Sequence, residues 1–120
     1  MQTRSTARRM LPIALTLVMG AAAPIAAATQ DDAQVKKGEE VYTAQKCSVC
    51  HAVAGKGNKQ NPLDGVGGKL SADDIKQWIT HPSEAAAKAK STKKPPMPNK
   101  YDKLPAADVD ALVAYLQSLK

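Results

Sequence analysis

The segment Cys47–His51 reads CSVCH, and it constrains this chain more than any other feature of its 120 residues. Two thiols three positions apart, followed at once by an imidazole, can add to the two vinyl groups of a haem and place a ring nitrogen beneath its iron. The spacing is part of the signal, because both sulfurs must reach the same edge of one porphyrin. The motif therefore predicts one covalent c-type haem, attached through Cys47 and Cys50, with His51 as an iron ligand.

Other uses of a CxxC pair are weaker for this chain. A structural zinc site needs four ligands, and the only further histidine or cysteine is His81, thirty residues on. A thioredoxin-like site belongs in a βαβ pattern, and the sequence has no strand-rich run. A disulfide across a CxxC would be a strained and reducible closure. Haem attachment is the favoured interpretation.

The first 28 residues have the organisation of a secretory signal peptide. Three arginines lie within the first nine residues, residues 11–19 are apolar, and residues 21–28 end in three alanines that fit an A-x-A cleavage site. We expect cleavage before Thr29, leaving residues 29–120 as the exported domain. A retained membrane anchor is the alternative, but two prolines and a glycine interrupt a stretch barely long enough to span.

The pair Arg8-Arg9 raises the question of twin-arginine export, which carries folded cargo. Haem attachment outside the membrane needs an unfolded chain, so we expect general secretion into a bacterial periplasm. Removal of the three leader arginines would lower the formal net charge from +6 to +3. A domain with so small an excess of positive charge has little of the basic character that nucleic-acid binding requires.

About 92 residues remain after cleavage, which is enough for one small domain. They contain one tryptophan, three tyrosines and no phenylalanine. A core built from so few large side chains would be thin, and a covalently held haem would supply the missing apolar bulk.

The hydrophobic pattern predicts an all-α domain. Asp31 is expected to cap the first helix and Ser71 the second. Gly38 is expected on the inner face of the first helix, where a glycine allows the last helix to cross at close range. A tolerated glycine on the surface is the alternative. Residues 52–69 are rich in glycine and lysine and are expected to form a loop without regular structure. The helical segments are 31–45, 71–80, 83–90 and 104–120.

Three further residues are candidates for the surroundings of the haem. An iron-bound histidine donates its second ring N–H to a carbonyl or carboxylate, and a loop returning at Pro62 could present that carbonyl. Leu63 would then cover the porphyrin face. Trp78 is the only tryptophan, and it could be either a haem neighbour or an ordinary core anchor.

Met97 is the preferred second iron ligand. It is the only methionine outside the predicted leader, and it lies in the sequence Pro95-Pro96-Met97-Pro98. The rigid prolines would hold its thioether at a fixed height above a ring at little entropic cost. His81 is the competitor, but it stands at a helix end directly before a proline, where a solvated imidazole is common.

Taken together, these residues resemble a class I, single-haem bacterial cytochrome c over nearly all of residues 29–120. The resemblance implies His51 as the proximal ligand, Met97 as the distal ligand, Pro62 as the carbonyl partner of His51 and Trp78 as the aromatic side chain beside the haem. It also implies that the first and last helices cross. The matching motifs are Gly38-x-x-x-Tyr42, CSVCH, Asn61-Pro62-Leu63, Trp78-Ile79-x-x-Pro82, Met97 and the C-terminal helix.

Two departures from the family pattern stand out. One extra residue separates Tyr42 from Cys47, and the link from Pro82 to Met97 is lengthened by the lysine-rich segment 85–94. The second departure leaves the path of the chain to Met97 open.

These features predict a periplasmic one-electron carrier between respiratory redox partners, not an enzyme. We expect a monomer that binds neither nucleic acid nor, after cleavage, a membrane. Lysines around the Met97 turn are expected to steer an acidic redox partner; they are Lys88, Lys90, Lys93, Lys94, Lys100 and Lys103. A solvated lysine face without a partner is the simpler interpretation of the same residues.

Other functions remain open at this point. The chain could be a haem-based ligand-binding sensor with a displaceable sixth ligand, or the haem subunit of a periplasmic oxidoreductase complex. Peroxide reduction would need a vacant iron site with acid–base groups nearby, and the sequence offers only His81 and no paired carboxylates.

Overall fold

A computed structural model describes residues 26–120 of the chain. The predicted signal peptide, apart from its last three residues, therefore lies outside the described residues. The described part is mostly helical, which confirms the all-α class, and it adds one short antiparallel hairpin. None of its helices is long and apolar enough to cross a membrane.

Within residues 26–120, five α-helices and two strands follow one another. The helices are α1 (Ala26–Ala44), α2 (Val66–Lys69), α3 (Ala72–Thr80), α4 (Pro82–Lys88) and α5 (Ala106–Ser118). The hairpin consists of β1 (Ala52–Val53) and β2 (Lys56–Gly57), and two 3₁₀ turns lie at Cys47–Val49 and Tyr101–Lys103.

The helices α1 and α5 cross at close range, which confirms the prediction made from Gly38. A Cβ atom built on Gly38 would overlap the carbonyl oxygen of Ala111 and would lie 2.6 Å from the Cβ of Tyr115. Beside this contact the rings of Tyr42 and Tyr115 pack edge to face, with centroids 5.6 Å apart. The crossing therefore decides which side of α5 faces the interior.

The helix α3 begins where its sequence predicts. The Ser71 hydroxyl accepts a hydrogen bond from the backbone N–H of Asp74 at 3.1 Å, which satisfies one free donor of the first turn. Ile75 and Ile79 lie on the buried face of this helix. The next helix, α4, starts one residue earlier than expected, at Pro82, whose fixed φ suits a first helical turn.

Two expectations about local structure are wrong. Asp31 is not an N-cap, because α1 begins at Ala26 and the alanines before Asp31 favour continuation of the helix. Residues 52–69 are not without regular structure, since they contain the hairpin and α2. Gly55 and Gly57, with φ of +76° and +104°, adopt the backbone conformations that the tight hairpin needs.

The end of the chain holds the segment around α2 in place. The Gly67 N–H donates to the Leu119 carbonyl at 2.8 Å, and the Lys120 ammonium donates to the Gly67 carbonyl at 3.0 Å. The Gln117 side chain donates to the Leu70 carbonyl at 2.8 Å. These contacts bring the segment before α3 against α5, on the side where the candidate site lies.

Candidate haem site

A cavity of about 470 Å³ lies at the centre of the described residues. Its walls come from all five helices, from the segment that follows α1 and from the proline-rich segment 93–98. Pro62 does not line the cavity. The other predicted site residues do, and they are Cys47, Cys50, His51, Leu63, Trp78 and Met97.

The two cysteines and the histidine are presented together by a tight turn at the end of α1. Lys46 adopts a φ of 55°, which redirects the chain into the Cys47–Val49 turn. The backbone N–H groups of Cys50 and His51 both donate to the Cys47 carbonyl, at 3.1 and 2.9 Å. Cys47 is half-buried and Cys50 is exposed. One edge of the cavity therefore carries two thiols and an imidazole.

The carbonyl that faces the His51 ring belongs to Asn61, and the assignment to Pro62 is wrong. His51 Nδ1 lies 3.2 Å from the Asn61 oxygen. The reason is the pairing of the two segments: Ala52 forms a parallel bridge with Pro62, and the Ala52 N–H also donates to the Asn61 oxygen at 3.2 Å. The peptide before the proline is therefore the one turned toward the ring.

Asn61 is thus a functional residue that the sequence reasoning missed. The signal that could have found it is the restriction that proline places on the residue before it, which is held in an extended conformation. An extended residue exposes its carbonyl for pairing with a neighbouring segment.

The surroundings of His51 favour the neutral imidazole that binds metals. Burial lowers the pKa of His51 from its usual value, and the hydrogen bond with the Asn61 carbonyl opposes part of that effect. A neutral ring that donates from Nδ1 to a carbonyl keeps the lone pair of its other nitrogen free for a metal. Burial also raises the pKa of the Cys47 thiol, an effect that nearby Lys100 partly opposes.

Of the two candidates for a second ligand, only Met97 lines the cavity. Its side chain is half-buried and packs against the hydrophobic core. The His81 ring is exposed, and its Nδ1 lies 2.8 Å from the hydroxyl of Thr80 at the end of α3. Among the described residues, no three His, Cys, Asp or Glu side chains converge in a way that could hold a metal ion.

Trp78 and Leu63 both line the cavity, and the cavity wall is continuous with the hydrophobic core. A tryptophan beside the haem and a tryptophan in the core would therefore occupy the same place in this fold. Trp78 is half-buried on α3. Leu63 directly follows Pro62, which forms the bridge with Ala52. Leu63 is held there because its own N–H donates to the Ala52 carbonyl at 2.8 Å.

The cavity fits a haem by the chemistry of its walls. Much of the wall is aliphatic and continuous with the core, with Ile75, Ile79, Leu112 and Leu116 as its buried members. The Tyr42 hydroxyl is buried, and it has no hydrogen-bond partner in the part of the chain that the structure describes. Buried tyrosine hydroxyls usually find a partner, so a ligand with acceptor atoms would satisfy it.

The comparisons with known proteins agree with this description. The family model described as Cytochrome c matches residues 35–120, which include the whole cavity wall. Searches of the curated proteins and of the solved structures return no match.

Proposed function

The chain belongs to the cytochrome c family, and on that premise we propose that it carries single electrons between respiratory redox proteins in a bacterial periplasm. The observation that carries the proposal is the convergence of the CSVCH segment and Met97 on one cavity. Cys47 and Cys50 would hold a single haem through two thioether bonds. His51 and Met97 would hold its iron, as in the class I members of the family.

The bound haem would supply a ferric–ferrous couple, with a potential that a methionine ligand raises relative to two histidines. The residues of the chain hold the two proposed iron ligands in place. His51 is kept neutral by burial and oriented by the Asn61 carbonyl. Met97 is flanked by prolines that restrict its backbone. Because His51 and Met97 would both bind the iron, no open iron site would remain for a substrate, which favours a carrier over an enzyme.

A positively charged surface beside the cavity supports an acidic redox partner. Of the six lysines predicted around the Met97 turn, Lys88 forms an ion pair with Asp74 at 3.2 Å. No such ion pair is found for the other five within residues 26–120. We define these five as the lysine surface, and they are Lys90, Lys93, Lys94, Lys100 and Lys103. Lys93 and Lys94 also line the cavity.

One exposed apolar side chain adds to the case for docking near residues 47–51, the attachment segment. Val49, between the two cysteines, is 67% exposed and is the large hydrophobic residue that stands out on the described surface. Contacts between redox proteins are small and short-lived, and an exposed apolar side chain suits such a contact. The lysines would speed the encounter, and salt would weaken it.

The periplasmic location rests on the leader sequence and on the chemistry of haem attachment. The proposed route is general secretion with cleavage before Thr29. Mass spectrometry of the protein purified from a haem-attaching bacterial host would test it. The expected species begins at Thr29 and carries the added mass of one haem, whereas a full-length chain would contradict the proposed cleavage.

Visible spectroscopy of the purified protein tests the proposed function itself. Methionine ligation predicts a weak far-red sulfur-to-iron band in the oxidised form and sharp low-spin bands after reduction. A high-spin spectrum that shifts on addition of carbon monoxide would favour a ligand-binding sensor or an enzyme instead. A protein without haem would refute haem attachment at the CSVCH segment, and the whole proposal with it.

A further inference from the structure

The backbone of the attachment segment is held by two asparagines. Every carbonyl group from residue 48 to residue 51 accepts a hydrogen bond from one of them. The backbone N–H of Asn58 is shared by the first and the last of these carbonyls, at 3.1 and 3.0 Å, and its side-chain amide donates to the Val49 carbonyl at 3.3 Å. The side-chain amide of Asn61 donates to the Cys50 carbonyl at 3.2 Å.

The two asparagines differ in one respect that concerns the iron ligand. Asn61 also supplies the peptide oxygen that lies 3.2 Å from His51 Nδ1, whereas the hydrogen bonds of Asn58 to this segment go to backbone carbonyls. Asn61 therefore contacts two neighbouring residues: its side chain donates to the Cys50 carbonyl, and its own carbonyl faces the His51 ring. The Ala52 N–H also donates to the Asn61 oxygen at 3.2 Å, so the bond from the Asn61 side chain to the Cys50 carbonyl is a second tie between this loop residue and the segment that carries His51.

We propose that Asn61 is the positioning residue of the His51 imidazole: its side chain, tied to the Cys50 carbonyl, fixes the peptide oxygen that accepts the ring N–H and thereby lowers the reduction potential of the protein. The inference rests on the proposed haem ligation by His51. A firm hydrogen bond to the second nitrogen makes a metal-bound imidazole a stronger electron donor. A stronger donor favours the ferric state, so loosening the bond should raise the potential.

The test compares haem-loaded variants with a matched control. Asn61→Leu removes the amide donor with little change of volume, and Asn61→Ala is the second variant in case the leucine prevents folding. Asn58→Ala is the control, because it also removes one side-chain hydrogen bond to the attachment segment but leaves the acceptor of the His51 ring in place. The readouts are the reduction potential and the exchange of the His51 ring proton, followed by NMR in the ferrous protein.

For both Asn61 variants we expect a higher reduction potential than in the wild type. We also expect ring-proton exchange about threefold to tenfold faster, as the loss of one hydrogen bond predicts. Asn58→Ala should change neither quantity appreciably, although it should also lower stability. Equal effects in the Asn58 and Asn61 variants, or an unchanged potential and exchange rate in the Asn61 variants, would overturn the inference. A wild-type protein without haem would overturn the proposed function as well, and that result is visible before any variant is made.

Discussion

The substitution Gly38→Ala tests the contact on which the whole arrangement depends. The added methyl group would overlap the Ala111 carbonyl oxygen and would meet the Cβ of Tyr115 at 2.6 Å and the Ala111 carbonyl carbon at 2.7 Å. Two of these neighbours are backbone atoms, which cannot rotate away as a side chain can. The helices α1 and α5 must therefore separate to admit the methyl group.

The cost can be estimated from two opposing effects. Overpacking of a well-packed contact costs about 1–3 kcal/mol, and the backbone neighbours of Gly38 place it at the upper end of that range. Replacing glycine by alanine inside a helix returns about 1 kcal/mol. The free energy of unfolding should therefore fall by about 2 kcal/mol, which for a domain of this size lowers the melting temperature by about 8–16 °C.

Thermal unfolding of the haem-loaded protein, followed by far-ultraviolet circular dichroism, measures this difference. Gly68→Ala is the control, because Gly68 lies in α2 and a Cβ atom built there has no neighbour within 4 Å. The control should melt at the wild-type temperature or slightly above it. If Gly38→Ala melts together with Gly68→Ala, the close crossing of α1 and α5 does not constrain the fold and the reasoning is refuted.

Three more predictions concern the site and its surface. Met97→Ala should raise the affinity for carbon monoxide and cyanide sharply, measured by optical titration, and unchanged ligand binding would argue against Met97 as an iron ligand. Burial raises the pKa of Tyr42 above its usual value. The folded protein thus holds this proton more tightly than the unfolded chain, and its stability should fall as the pH rises above about 10, by up to about 1.4 kcal/mol per pH unit. Denaturant titrations at several pH values should show a shallower decline for Tyr42→Phe, and an identical decline would contradict the burial of the hydroxyl. Lys93→Glu on the lysine surface should slow electron transfer to an acidic partner at low salt in stopped-flow measurements, whereas Lys36→Glu on α1 should slow it less; equal effects would show that only net charge matters.

The site could be predicted from sequence where the chemistry depends on residues that are neighbours in the chain. CSVCH needs only its own spacing, and the proline-flanked Met97 was recognisable because no other methionine lies outside the predicted leader. The acceptor of the His51 ring was different, because it depends on which peptide of the loop pairs with Ala52. A shift of one residue in this pairing moves the role of acceptor from Pro62 to Asn61. The amino-acid composition of the loop does not indicate which of the two carbonyls is used.

The same distinction explains the errors in the fold. The cap at Ser71 was correct because capping is decided within four residues. Asp31 has the same local signal, but the alanines before it continue the helix and leave its side chain exposed on α1. The hairpin at residues 52–57 was missed because a two-residue strand carries no period that a sequence can display.

The core and the candidate site cannot be altered separately in this protein. Ile75, Ile79, Leu112 and Leu116 belong to the hydrophobic core and to the wall of the cavity. The last two lie on α5, the helix whose position Gly38 determines. A change in the helix crossing therefore moves the wall against which a haem would pack. The scarcity of aromatic residues, 3% of the chain, follows from the same arrangement: the chain supplies an aliphatic wall, and the large planar group that completes the core is the one that would carry the electron.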